Sequence, residues 1–238
     1  MPTIKFTDTT GLVPEDYYPT PSKLHIPEWL KRLAPYSDEK KRDQTAKRCI
    51  PMLDAVMSGY TIVLTEDIRV QQVEKELPEG WSTRILDAMP QKGPFYHWAE
   101  GLGVDFHPLD QASTHEKTHA PIPKWLNPWS IETPRGYSCL FVPPLNNERL
   151  PFIPFSGIVD TDTYIPVVNF PFLLADPNFD GTVPAGTPIV QVIPFRRESW
   201  EMETFVGTTE AITRARRRLR SKFKNGYRRL FHQPKDFR

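Results

Sequence analysis

The sequence predicts a mainly β protein: a sandwich-like, jelly-roll-like body preceded by a short helical region and followed by one basic amphipathic helix. Three observations lead there. Residues 134–200 hold three β-rich runs, PRGYSCLFVPPLN, FSGIVDTDTYIPVVNFPFLL and DGTVPAGTPIVQVIPFRRESW, each bounded by Pro, Gly, Asp or Asn as consecutive antiparallel strands are. Proline supplies 26 of 238 residues, about twice its ordinary usage, and recurs along the whole chain. A residue that removes an amide donor and fixes φ at such spacing is incompatible with a helical bundle. Between residues 66 and 134, short apolar pieces alternate with the turn signals PEG, QKG and EGLG, the rhythm of short strands in a sandwich or small barrel.

Taken in order, residues 1–22 are polar and rich in Thr and Pro, carry Tyr17 and Tyr18 with no helical period, and read as an extended arm. IPEWLKRLAP at 26–35 places Pro27 at a first turn and spaces Ile26, Leu30 and Leu33 on one face, which predicts a short helix. The charged stretch from Ser37 to Lys47 is solvated and completes an N-terminal region of residues 1–44. Within a body that runs from residue 45 to 206, Pro51 to Met57 predicts a second short helix stopped by Gly59, followed by a strand over Tyr60 to Thr65. Three prolines keep PIPKWLNPW, 121–129, from being a regular helix, and it is expected to cross the body's surface with Trp125 and Trp129 as anchors. After Gly207 the composition changes: Thr208 and Thr209 can cap a helix whose Ile212, Leu219, Phe223, Tyr227, Leu230 and Phe231 recur mostly at three- and four-residue intervals, weakened at Gly226.

Charge divides the chain. Residues 214–238 carry eight Arg and three Lys against Asp236 alone, a net +10, and the remaining 213 residues carry −9. An acidic body with a basic appendage can meet nucleic acid, an acidic partner or a second copy of itself. Cys49 and Cys139 are too few and too far apart for a disulfide scaffold. The start, MPTIKFTDTT, lacks the basic and apolar regions of a secretory signal, and no apolar run is long enough to cross a bilayer. The expected location is a virion or a host cytoplasm, with no membrane partner.

Pro134 to Tyr137 read P-R-G-Y, Gly157 to Tyr164 read G-I-V-D-T-D-T-Y, and Gly186 to Gln191 read G-T-P-I-V-Q. In that order and spacing, over about 60 residues, they resemble the β-clip proteins of the dUTPase and dCTP deaminase superfamily. There P-x-G-Y leads to a Pro-Arg-Ser-Ser corner, then to G-x-I-D-x-D-Y and G-x-x-I-A-Q. The resemblance implies a β-clip fold and, on the family pattern, a nucleotide hydrolase using Asp160, Asp162 and Tyr164 with Mg²⁺. Here the corner reads Pro143-Pro144-Leu145-Asn146 and a threonine separates Asp162 from Tyr164, so the parts that hold phosphate are absent. The run from 134 through 200 also resembles an uncharacterised family encoded by tailed phages of marine bacteria and cyanobacteria, over most of residues 45–235. That resemblance implies a virion component.

Other constellations bear chemistry. His115-Glu116-Lys117-Thr118-His119 is a literal H-E-x-x-H, the zinc-protease pattern, but Lys117 sits where that helix is packed and Pro121 and Pro123 stop any helix just after His119. His97, His107, His115 and His119 fall within 23 residues alongside Asp105 and Asp110. The metal candidates are therefore His107, Asp110, His115 and His119, for Fe or Zn, although the H-x-D spacing of jelly-roll oxygenases is missing. Arg216, Arg217 and Arg218 with Leu219, Phe223, Tyr227 and Phe231 form a partner-binding candidate, with the apolar stripe expected to be buried against protein and the arginines facing acids or nucleic acid.

Together these features predict a non-enzymatic structural or interaction protein, a phage virion component assembled through its N-terminal arm and its basic helix, with other protein chains or further copies of itself as partners and no cofactor. The alternative is an enzyme on a jelly-roll scaffold, a dUTPase-like hydrolase or an Fe(II) oxygenase.

Overall fold

In a computed structural model the chain is described over residues 1–38, 40, 43–74, 92–98, 103–107, 122–220 and 225–238. The elements in chain order are β1 (Lys5–Asp8), β2 (Thr20–Pro21), α1 (Glu28–Arg32), α2 (Ile50–Met57), β3 (Tyr60–Val63), β4 (Ile68–Glu74), β5 (Lys92–Trp98), β6 (Val104–Phe106), β7 (Pro123–Trp125), β8 (Trp129–Glu132), β9 (Tyr137–Val142), β10 (Phe152–Pro154), β11 (Gly157–Val159), β12 (Phe170–Leu174), β13 (Gly181–Val183), β14 (Pro188–Arg196), α3 (Glu210–Arg220) and α4 (Gly226–Leu230). The mainly β architecture is as expected. Four antiparallel sheets run β11-β9-β14-β3-β2, β10-β12-β7-β6, β13-β4-β5 and β1-β8.

One apolar core joins them. Cys139 and Phe141 of β9, Trp125 of β7, Phe152 of β10, Phe170 and Phe172 of β12, Ile68 and Val70 of β4 and Ile131 of β8 belong to a single buried cluster. Trp125 stacks on Phe172 with ring centroids 4.0 Å apart and meets Phe152 edge-on at 4.9 Å, while Phe141 reaches Phe170 at 5.7 Å and ties the five-stranded sheet to the four-stranded one. Offset and edge-on pairs of this kind add about 0.5–1.5 kcal/mol beyond the area they bury.

β14 lies at the centre of the largest sheet, paired to β9 from Gln191↔Val142 to Arg196↔Tyr137 and to β3 through Val192↔Tyr60. Ile189, Val190, Gln191 and Val192 are all buried, as a strand covered on both faces requires. The one polar member, Gln191, donates through Nε2 to the carbonyls of Ala55 (2.9 Å) and Ser58 (2.5 Å) and accepts the Leu145 amide at 3.0 Å. It thereby satisfies the carboxyl end of α2 and anchors the loop after β9. Gly59, in a left-handed turn at φ 70°, brings the chain from α2 into β3, and a Cβ there would lie 2.0 Å from the Val192 carbonyl oxygen.

Two expectations need correcting. Residues 1–22 are extended but are no free arm: Lys5↔Glu132 to Asp8↔Trp129 register β1 on β8, β2 pairs with β3, Val13 enters the core, and Tyr18 meets Trp129 edge-on at 5.1 Å. Asp8 folds the next turn by accepting the Thr10 and Val13 amides. The segment around Trp125 is likewise no surface crossing. Its middle is β7, between β12 and β6, and Trp125 and Trp129 are both core residues.

The C-terminal helix begins as expected, with Thr209 Oγ1 accepting the Ile212 amide at 3.2 Å, an N-cap bond. Asn225 at φ 60° then separates α3 from α4. Among the described residues no helix is long and apolar enough to cross a membrane.

Substituting Gly59→Ala is expected to cost more than about 2 kcal/mol, because both its φ and its space forbid a Cβ, whereas Gly157→Ala, with open space around it, should change stability by less than about 0.5 kcal/mol. Urea denaturation of the two variants checks this pair of values.

Candidate functional site

The motif aspartates meet a partner that the motif does not contain. Where β14 ends, Arg197 donates through one nitrogen to Asp162 Oδ1 at 2.8 Å, to Asp160 Oδ1 at 3.3 Å, to Ser138 Oγ at 3.0 Å and to the Tyr137 carbonyl at 3.0 Å. Its second nitrogen holds Asp162 Oδ2, which also accepts the Gly136 amide at 2.8 Å. Ser138 Oγ donates to Asp160 at 2.6 Å, and Thr161 Oγ1 lies 2.7 Å from Thr133 Oγ1 and 3.3 Å from Cys139 Sγ. The turn before β9, the turn after β11 and the end of β14 are thus fastened at one point.

The Asp162 side chain is only 2% exposed, and the Arg197 guanidinium, helped by the Gly136 amide, holds its carboxyl down at about 2. A carboxylate so engaged is a fixed anion. Asp160 is more open but shares the same arginine, and Tyr164 is exposed beside it. What the structure brings together is a structural junction built from the P-R-G-Y and D-T-D segments.

A shallow groove of about 600 Å³ runs beside this junction, lined by His107, Lys124, Ile158, Asp160, Tyr164 and Asn169 among others. Lys124 is paired with Asp105 at 2.9 Å, and His107 Nδ1 is buried without a hydrogen-bond partner among the described residues. Asp110, His115 and His119 lie outside the described residues. Among those described, no three His, Cys, Asp or Glu side chains converge where they could hold a metal ion.

A second cavity, about 390 Å³, opens at the opposite end of β9 and is predominantly apolar: Pro143, Pro144, Leu145, Leu150, Phe152 and Ile153 are among its walls. Its floor loop is fixed from two sides, by Gln191 on the Leu145 amide and by Trp29 Nε1 donating to the Asn146 carbonyl at 2.9 Å.

The tail has two halves with different fates. Beyond α3 the chain returns to the body: Arg48 donates to Asn225 Oδ1, His232 Nε2 lies 3.1 Å and Lys235 Nζ 2.6 Å from Asp54 Oδ2, Phe237 meets Tyr60 edge-on, and the Tyr60 hydroxyl donates to the Arg238 carbonyl. Burial pushes the Asp54 carboxyl up, yet the bonds from Lys235 and His232 outweigh it and leave it below its ordinary value. By contrast residues 198–220 stand away from the body. Trp200 is 87%, Met202 89% and Phe205 79% exposed, and Leu219, Tyr227 and Phe231 are exposed as well. The expected burial of that stripe is therefore not made within the chain, and Phe223 lies outside the described residues. Arg218 sits 5.9 Å over the Phe231 ring, Arg214 pairs with Glu210, and Arg216, Arg217 and Arg220 have no acidic partner among the described residues.

Sequence reasoning missed both Arg197 and the exposed segment. The signal for the latter was present: Trp200-Glu201-Met202-Glu203 alternates apolar and acidic residues at a strand's period, outside any sheet. No protein-family model matches the chain, and no curated protein matches it significantly.

Two outcomes follow. The Asp162 carboxyl, followed by ¹³C NMR, should titrate near pH 2 in the intact protein and return toward 3.8 in Arg197→Met. Because its folded value is depressed, its stabilisation is complete above the unfolded value and is lost as pH falls from about 4 toward 2. Asp54→Ala should release the C-terminal strap, with amide exchange over residues 227–232 accelerated about tenfold and the exchange of β9 and β14 unchanged.

Proposed function

We propose that this chain is a non-enzymatic structural or interaction protein, a component of a phage particle, and that it assembles through the segment projecting beyond β14. The observation that carries this reading is the solvent-exposed run of Trp200, Met202, Phe205 and Val206 on a chain whose buried aromatics, among the described residues, are gathered into one core. Burying such side chains is worth about 1.5–3 kcal/mol each, and the body gives them no place. An exposed cluster of this size marks an interaction surface.

The particle enters through the resemblance to tailed-phage proteins; the mechanism of attachment enters through the geometry. The N-terminal segment drops out of that mechanism, since it is already paired with β8 and β3. The basic helix stays in it, with Arg216, Arg217 and Arg220 open to acidic groups on a neighbouring chain or to nucleic acid. The engagement of Asp162 with Arg197 and the Gly136 amide favours the structural reading over a nucleotide hydrolase, because that carboxylate is already spent on joining turns.

Mass spectrometry of purified particles should find the chain at a fixed ratio to the major particle proteins, and incubation with deoxynucleoside triphosphates and Mg²⁺ should release no pyrophosphate. Absence from particles, or release that Asp160→Asn abolishes, overturns the proposal.

A further inference from the structure

The apolar cavity beside β10 and the exposed segment after β14 are complementary surfaces of one chain, and we infer that the Trp200–Val206 segment of one copy docks in the cavity of a second copy. This rests on the assembly reading above and names its partner.

Five observations carry it. The cavity is apolar, about 390 Å³, within the range of sites that hold bulky groups, and is walled entirely by described residues. Beside it β10 is an edge strand, paired among the described residues with β12 alone, and its Ile153 side chain is half exposed. A segment alternating apolar and acidic residues, such as Trp200-Glu201-Met202-Glu203, can lie along such an edge while its apolar side chains enter the pocket.

Direction excludes the chain's own cavity. β14 runs antiparallel to β9 and leaves it at Arg196↔Tyr137, whereas the cavity begins at Val142. The six residues of β9, about 20 Å of strand, lie between them. Arg197, bound to Asp160 and Asp162, pins the segment's root at the far end and aims it outward. The segment would have to double back along the sheet to reach its own pocket, and in the structure it does not.

Charge fits as well. Arg149, exposed between the lining residues Glu148 and Leu150 and without an acidic partner among the described residues, suits the segment's Glu201 or Glu203. Glu148 in the cavity wall and Asp176 just beyond Ala175 suit the arginines of α3 that follow. More broadly, an acidic body meets the basic appendage of its neighbour. The contact joins two different surfaces, so it closes either as a reciprocal exchange between two copies or as a ring.

The test uses the full chain and two variants altered only at exposed positions: Trp200→Ser with Met202→Ser and Phe205→Ser, and, separately, Ile153→Glu. Size-exclusion chromatography with light scattering at up to about 100 μM should give the intact protein at least twice the monomer mass and each variant the monomer mass, with unchanged circular dichroism. Mixed one to one, the variants should form a dimer, since one contributes an intact cavity and the other an intact segment. An intact chain that stays monomeric, a variant that still assembles, or a folded pair that does not complement overturns the inference. A chain found in particles that fails this complementation leaves the particle reading standing, and a chain that complements but is absent from particles leaves the docking standing.

Discussion

The double-sided burial of β14 is the constraint on which the rest of the molecule depends. A strand covered on both faces demands apolar side chains throughout, and Ile189, Val190 and Val192 supply them. The exception, Gln191, is tolerable because both its donors and its acceptor oxygen are engaged: two carbonyls at the end of α2 and the Leu145 amide. Through that one amide the strand fixes a helix on one side and the cavity loop on the other. Just past its end, Arg197 fastens the turn before β9 and the turn after β11. Core, cavity and exit direction of the chain are therefore set by β14 and the residue that follows it.

Local chemistry made some of this legible in advance and nonlocal pairing hid the rest. Pro51 and Gly59 bracket α2 within one residue of where it runs, and Thr209 caps α3, because capping and φ restrictions act over a few residues. The N-terminal segment was misjudged because its partner, β8, lies more than 120 residues away, and a polar strand at a sheet's edge leaves little periodic trace. Trp125 was misjudged for a related reason: three prolines exclude helix but say nothing of burial. At the junction, Gly136, Asp160 and Asp162 were visible as a pattern. Arg197 was not, since an ion pair between residues 35 apart has no sequence period.

The motif resemblance takes on a different meaning in that light. Gly136 gives an amide to Asp162, Asp160 and Asp162 hold Arg197, and Gln191 holds α2 and the cavity loop. Each of the three segments that carry the resemblance supplies a residue spent on joining elements. A shared pattern of that kind is what folding alone can require, and a fold of itself selects no chemistry.

The two halves of the basic tail differ because of where acids are available. Asp54 and the tail's own Asp236 lie within reach of the returning segment, which closes on the body. The sequence of α3 itself carries one acid, Glu210, in its first turn, while Arg214 and Arg218, and Arg216 and Arg220, stack like charges one turn apart. Each such pair costs about 0.2–0.5 kcal/mol, and an isolated helix shorter than about 12–15 residues is marginal in water even without them. The 11 residues of α3, with no body beneath them, therefore depend on neutralising charge for much of their stability. An acidic surface that binds the arginines also lowers the cost of keeping them helical, so the helix and its contact form together. Exposed apolar side chains on one flank and, on the other, Arg216, Arg217 and Arg220 with no acidic partner among the described residues make the projecting segment a structure completed by association.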